Sequence, residues 1–166
     1  MISIIDQIIL NWPINLDGSM GLEVQETYQM EVPSTFEHRR EMCHFELKGQ
    51  LYMIGGTNYN DQSNLWRTKR QYRVNGKKVE QLVDLPFSFR DGSCINYDGE
   101  HVLFIGGWGQ EKDTWIFDGE NYTKEISRTT YDHYAGGVAK YTRDGDIGVV
   151  VTAGEFEYYG TTEFYR

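Results

Sequence analysis

Apolar and polar positions alternate along much of this chain with a period of two, the period of a strand with one buried face. The segments "CHFEL" (43–47) and "SCINY" (93–97) read this way. Each is followed by X-Gly between apolar runs, the mark of a hairpin turn. The dipeptides are Lys48-Gly49, Asp98-Gly99 and, further on, Asp144-Gly145. The runs behind these turns do not alternate. "LYMIGG", "VLFIGG" and "GVVVTAG" are continuously apolar, which implies burial on both faces. They stop at Gly55-Gly56, Gly106-Gly107 and Ala153-Gly154. Gly55 and Gly106 are 51 residues apart, and Ala153 follows 47 residues later.

The rest of each unit keeps the same order. A polar loop leads to a third strand ("LWRTKRQYRV", "TWIFD", "TTEFYR"), then a second turn at Asn75-Gly76 or Asp118-Gly119, then a fourth strand ("KVEQLV", "NYTKEI"). Almost no helix is expected, with strands near 43–47, 50–55, 92–97, 100–106, 135–141 and 147–153. Four antiparallel strands per ~50 residues, joined by short turns, make one blade of a propeller. The paired glycines then have a purpose. They accept φ > 0 and let a neighbouring backbone or bulky side chain come close. "LYMIGG" and "FIGGWGQEKDTWIFDGENY" resemble kelch repeats, in which a strand ends in Gly-Gly and spaced aromatics follow; Gly106, Gly107, Trp115 and Tyr122 carry the likeness best. The chain also resembles the invertebrate kelch-like proteins, many of them extracellular.

The resemblance implies an all-β, kelch-type β-propeller that is incomplete. Residues 1–33 form a half blade, 34–86 and 87–127 two full blades, and 128–166 an incomplete one. "MISIIDQIIL" is read as a strand rather than a leader, because it lacks a basic start and Asp6 interrupts it. Strands at ~4–16 and ~22–30 would be the third and fourth of an earlier blade, around Asp17-Gly18. The total is about three blades, whereas closed propellers have about four to eight. Further blades would come from a longer chain or another subunit. Open edges and apolar faces predict self-association. Cys43 and Cys94 are 51 residues apart, the repeat step. Equivalent positions in adjacent units ordinarily exceed the ~7 Å Cα limit of a disulfide, so two buried thiols are expected.

Composition narrows the chemistry. The net charge is −9, from 16 Lys+Arg against 25 Asp+Glu, and no basic run offers itself to phosphates. No stretch approaches the ~20 apolar residues of a membrane span. The four histidines do not pair at metal-ligand spacing, and no nucleophile elbow or P-loop is present. "NYT" at 121–123 is a formal glycosylation sequon on an expected turn. Arg39 and Arg90, 51 residues apart, are expected to brace strand starts.

The loops after the glycines gather on one propeller face. They carry aromatics among acids: Tyr59 and Asp61; Trp108, Glu111 and Asp113; Glu157, Tyr158 and Tyr159. Such mixtures make binding hot spots. By residue count these loops sum to about −4, which suits a protein partner with a basic patch. The expected function is a protein-interaction scaffold without cofactor or catalysis. The alternative is a carbohydrate-binding propeller, or one of the galactose oxidase type. That resemblance implies Tyr, Cys and His ligands to copper.

Overall fold

The structure, a computed structural model, describes residues 3–11, 23–36, 39–58, 69–109, 112–125, 129, 133, 135–152 and 162–165; for 3–11, 23–29, 143 and 163–165 it describes the backbone alone. Those residues form thirteen strands and no helix. β1 (Ser3–Asn11) and β2 (Glu23–Val32) make an antiparallel hairpin. Next come β3 (Arg40–Leu47), β4 (Gln50–Thr57), β5 (Gln71–Asn75) and β6 (Lys78–Gln81), each antiparallel to the one before. β7 (Ser93–Asn96), β8 (Val102–Ile105), β9 (Thr114–Phe117) and β10 (Tyr122–Lys124) repeat that order as a four-stranded sheet. β11 (Gly137–Arg143), β12 (Asp146–Thr152) and β13 (Thr162–Tyr165) form a three-stranded one.

The leading hairpin does not stand apart. β2 joins the free edge of β6 through a parallel bridge at Glu31 and Lys78, and the sheet becomes six-stranded. The Glu31 N–H donates to the Lys77 carbonyl at 2.8 Å. The expected Asp17-Gly18 turn lies outside the described residues.

The turns explain the sequence signals closely, with two shifts. Lys48-Gly49 and Asp144-Gly145 have φ > 0 at both residues, as a right-twisted two-residue hairpin requires. Between β5 and β6 the turn residues are Gly76 and Lys77, one later than Asn75-Gly76, since Asn75 pairs with Lys78. Between β7 and β8 the loop is longer. Tyr97 donates to His101 at 3.3 Å and encloses three residues, which the Asp98 carboxylate organises by accepting the N–H groups of Glu100 (2.8 Å) and His101 (2.7 Å).

The sheets stack face to face. Phe45, Tyr52 and Ile54 of the β3–β6 sheet pack against Val102, Phe104 and Phe117 of the β7–β10 sheet, with Phe87 and Phe89 between them. The far side of the β7–β10 sheet buries Leu103 and Ile105 against Val149 and Val151. β8 is therefore buried on both faces along its whole length, which explains the unbroken run "VLFI".

The two cysteines correct the sequence reading. Cys43 and Cys94 are joined as a disulfide, with Cα atoms 6.1 Å apart, and no free cysteine remains. They are not equivalent positions. Cys43 pairs with Ile54 and Ser93 with Ile105, and both isoleucines precede a diglycine. The counterpart of Cys43 is thus Ser93. The extra residue in the β7–β8 loop displaces Cys94 by one, and a one-residue offset turns a side chain to the other face. Cys43 points forward across the sheet gap and Cys94 points back to meet it. Ser93, which keeps the forward direction, donates instead to the Gly136 carbonyl at 3.0 Å.

Candidate interaction site at the diglycine end

The diglycines couple each sheet to the next. Gly55 (φ +71°) and Gly106 (φ +65°) adopt a conformation that side chains rarely enter. Gly56 donates to the Phe89 carbonyl and Gly107 to the His133 carbonyl, both at 2.8 Å. The acceptors lie just ahead of the first strand of the following sheet. Gly55 and Gly106 donate within their own sheets, to Arg70 (2.8 Å) and Asp113 (2.9 Å).

A charged cluster sits beside the second diglycine. Arg90 Nε lies 2.8 Å from Glu41 Oε2 and 2.9 Å from Asp91 Oδ2, with only 9% of the arginine side chain exposed. Thr57 Oγ1 also donates to Glu41 Oε2, at 2.7 Å. The Arg90 guanidinium stands 5.4 Å from the centre of the Trp108 ring, a cation–π contact. The Trp108 main-chain N–H donates to the Arg90 carbonyl at 2.9 Å. Backbone and ring thus both meet Arg90, the ring through the cation–π contact alone, and 39% of the residue stays exposed.

The arginine pairing differs from the sequence expectation. The Arg40 carbonyl flanks Gly56 as the Arg90 carbonyl flanks Gly107, and the following residues, Glu41 and Asp91, both have φ > 0. Arg40, rather than Arg39, is the counterpart of Arg90. Arg39 donates to the Gly55 carbonyl at 3.4 Å. Glu41, Thr57 and Asp91 are site residues that the sequence pattern does not single out. One signal is nevertheless present: an arginine followed by an acid recurs at Arg40-Glu41 and Arg90-Asp91, 50 residues apart.

Of the expected binding residues, Trp108 and Asp113 are described. Tyr59, Asp61, Glu111, Glu157, Tyr158 and Tyr159 lie outside the described residues. Asp113 is mostly buried and ion-paired, its Oδ2 2.7 Å from Lys124 Nζ, which in turn sits 5.6 Å from the Trp115 ring centre. Its charge is compensated locally, so within this surface Trp108 is the described group that offers a partner a large area.

The opposite end of the sheets holds a pocket of about 460 Å³ lined by Lys48, Gln50, Tyr52, Arg73, Asp118 and Glu120, among others. Its cations are engaged. Lys48 Nζ contacts Glu100 (3.1 Å) and the Asp118 carbonyl (3.0 Å), and Arg73 pairs with Glu80 at 2.9 Å. The Arg73 hydrogen bond holds the Glu80 carboxyl below its ordinary range.

No family model and no curated protein matches the chain. Solved structures do, 77 chains of them. One is the structure of YjhT, with a TM-score of 0.56 and 11% identity over 86% of this chain. The likeness is one of fold alone. This chain spans about half the length of that structure, 54% of it.

Proposed function

We propose that the chain is part of a kelch-type β-propeller that acts as a protein-interaction scaffold, binding through its diglycine end with Trp108 as anchor. The observation that carries the reading is the Trp108–Arg90 pair. A half-exposed indole, stacked on a guanidinium that Glu41 and Asp91 hold in place, loses little freedom on binding and offers a large apolar area. Support for the propeller comes from the repeated four-strand order, the face-to-face stacking and the diglycine link between successive sheets. The copper-oxidase alternative needs a cysteine ligand, and both cysteines are committed to the disulfide.

The test uses the immobilised chain and its Trp108→Ala/Glu111→Lys variant. Retained proteins are compared at rising salt, with melting curves and a glycan array in parallel. The reading expects at least a tenfold loss of retention in a variant that still folds, salt-sensitive retention by the parent, and no glycan bound. A folded variant that keeps every partner overturns it.

A further inference from the structure

Two features away from the Trp108 surface point to one modification. The first is the Cys43–Cys94 disulfide, which ties β3 to β7 across the gap between two sheets. Such bonds form and persist in oxidising compartments and are rare in the reducing cytosol. The second is Asn121-Tyr122-Thr123, the one Asn-X-Ser/Thr tripeptide in the sequence. In that pattern the asparagine amide accepts an N-linked glycan, provided the folded chain leaves room for it. The fold leaves the room. Tyr122 is the half-buried residue of the three. Its ring stacks on Phe117 with centroids 4.4 Å apart, and its hydroxyl donates to Gln71 Oε1 at 2.7 Å. The residues on either side, Asn121 and Thr123, are both exposed. The acceptor is also held in place. The main-chain N–H groups of Glu120 and Asn121 both donate to the Asp118 carboxylate at 2.8 Å. The Asn121 side chain hydrogen-bonds the same carboxylate. A glycosylated amide keeps one N–H, enough for that bond.

We propose that Asn121 carries an N-linked glycan, acquired in the oxidising secretory compartment in which the Cys43–Cys94 bond closes. The transfer joins Asn121 Nδ2 to the anomeric carbon of an N-acetylhexosamine at the head of a lipid-diphosphate-linked oligosaccharide. The amide gives up one proton and the lipid diphosphate leaves, so no electrons are exchanged. Thr123 supplies the hydroxyl that the acceptor pattern requires at its third position. The site lies away from the proposed partner surface. β9 runs from Thr114, paired with Ile105 beside the diglycine, to Phe117, and Asn121 follows the turn at that far end. A glycan there leaves Trp108 accessible, and the inference stands or falls independently of the interaction reading.

Mass spectrometry of the protein recovered from the cells that make it, with and without peptide N-glycosidase, tests this. The tryptic peptide 113–124 should carry a hexosamine-based mass increment before treatment. Enzymatic release converts a glycosylated asparagine to aspartate, so the treated peptide should show that conversion at position 121. Variants made in a eukaryotic secretory host locate the acceptor. The parent and Thr123→Ser should shift on gels after glycosidase treatment, and Asn121→Gln and Thr123→Ala should not. All four should keep the disulfide, and the two unglycosylated variants should melt with the treated parent. Trp108→Ala/Glu111→Lys should remain glycosylated, which separates this site from the partner surface. An unmodified 113–124 peptide in the native protein, a shift that survives Asn121→Gln, or free thiols in the native protein overturns the proposal.

Discussion

Gly106 lies directly against the backbone of His133. A Cβ on this glycine would overlap the His133 carbonyl oxygen and stand 2.9 Å from its carbonyl carbon. Gly55 meets Phe89 in the same way one unit earlier. The repeated close approach lets the next amide, Gly107 or Gly56, reach the same carbonyl for its 2.8 Å hydrogen bond. The diglycine is thus the point where successive sheets are joined through main chain.

Gly106→Val is expected to destabilise the chain by about 3 kcal/mol or more, combining backbone strain at φ > 0 with overlap against an immovable carbonyl. Gly76→Ala is the control. It shares the positive φ but has nothing within 4 Å of the added carbon, so its cost should stay near ~1 kcal/mol. Thermal melting of both variants checks the difference. Equal shifts would remove the close-packing explanation.

Opening the Cys43–Cys94 disulfide is expected to cost about 4 kcal/mol in the chain-entropy account, for a loop closed over 51 residues. The Cys43→Ala/Cys94→Ala variant and the reduced parent should melt at similar, lowered temperatures. Mass spectrometry under alkylating, non-reducing conditions should find no modified cysteine in the folded parent. Alkylation of both at native conditions would contradict the pairing.

Arg90→Met is expected to lose about 3 kcal/mol, because Glu41 and Asp91 would face each other without their shared cation. Adding Glu41→Gln should recover part of that loss, since the acid left facing Asp91, with the exposed Arg40 3.4 Å from its other oxygen, loses its charge. Urea unfolding of the single and double variants measures the coupling. Strict additivity would mean that the pair contributes nothing specific.

The acid limb of stability should depend on the turn aspartates. The Asp118 carboxyl is held below its ordinary range by the N–H groups of Asn121 and Glu120. At Asp98, burial pushes the carboxyl up, but the hydrogen bonds from His101 and Glu100 outweigh it and the net direction is down. A depressed carboxyl contributes stability that is present above its unfolded value of about 3.9 and is lost as pH falls through the folded value. Asp98→Asn/Asp118→Asn keeps the acceptor oxygens without the charge. Its melting temperature should fall less steeply than the parent's between about pH 4 and pH 2 in a titrated series, and a parallel pair of curves would refute the assignment.

Most strands are legible in the chain because their cause is local. Period-two alternation places β3, β7 and β11, and continuous apolar runs place β4, β8 and β12. Glycines mark the turns and the sheet junctions, since φ > 0 is written into residue type. Trp108, the proposed anchor, is visible as an aromatic behind a diglycine, but nothing local assigns to it the Arg90 cation that contacts its ring. The disulfide escapes the sequence for a comparable reason. Whether Cys94 faces Cys43 depends on one extra residue in a loop, and counting along repeats of unequal length cannot register that shift. The strand order, the turn sites and the repeat can all be read from the order of residues alone. Tertiary structure decided the strand register, the Arg40–Arg90 correspondence, the attachment of the β1–β2 hairpin to β6 and the pairing of the cysteines. Each of these depends on which face a side chain turns toward a neighbour some 50 residues away, and that is set by packing between sheets rather than by local period.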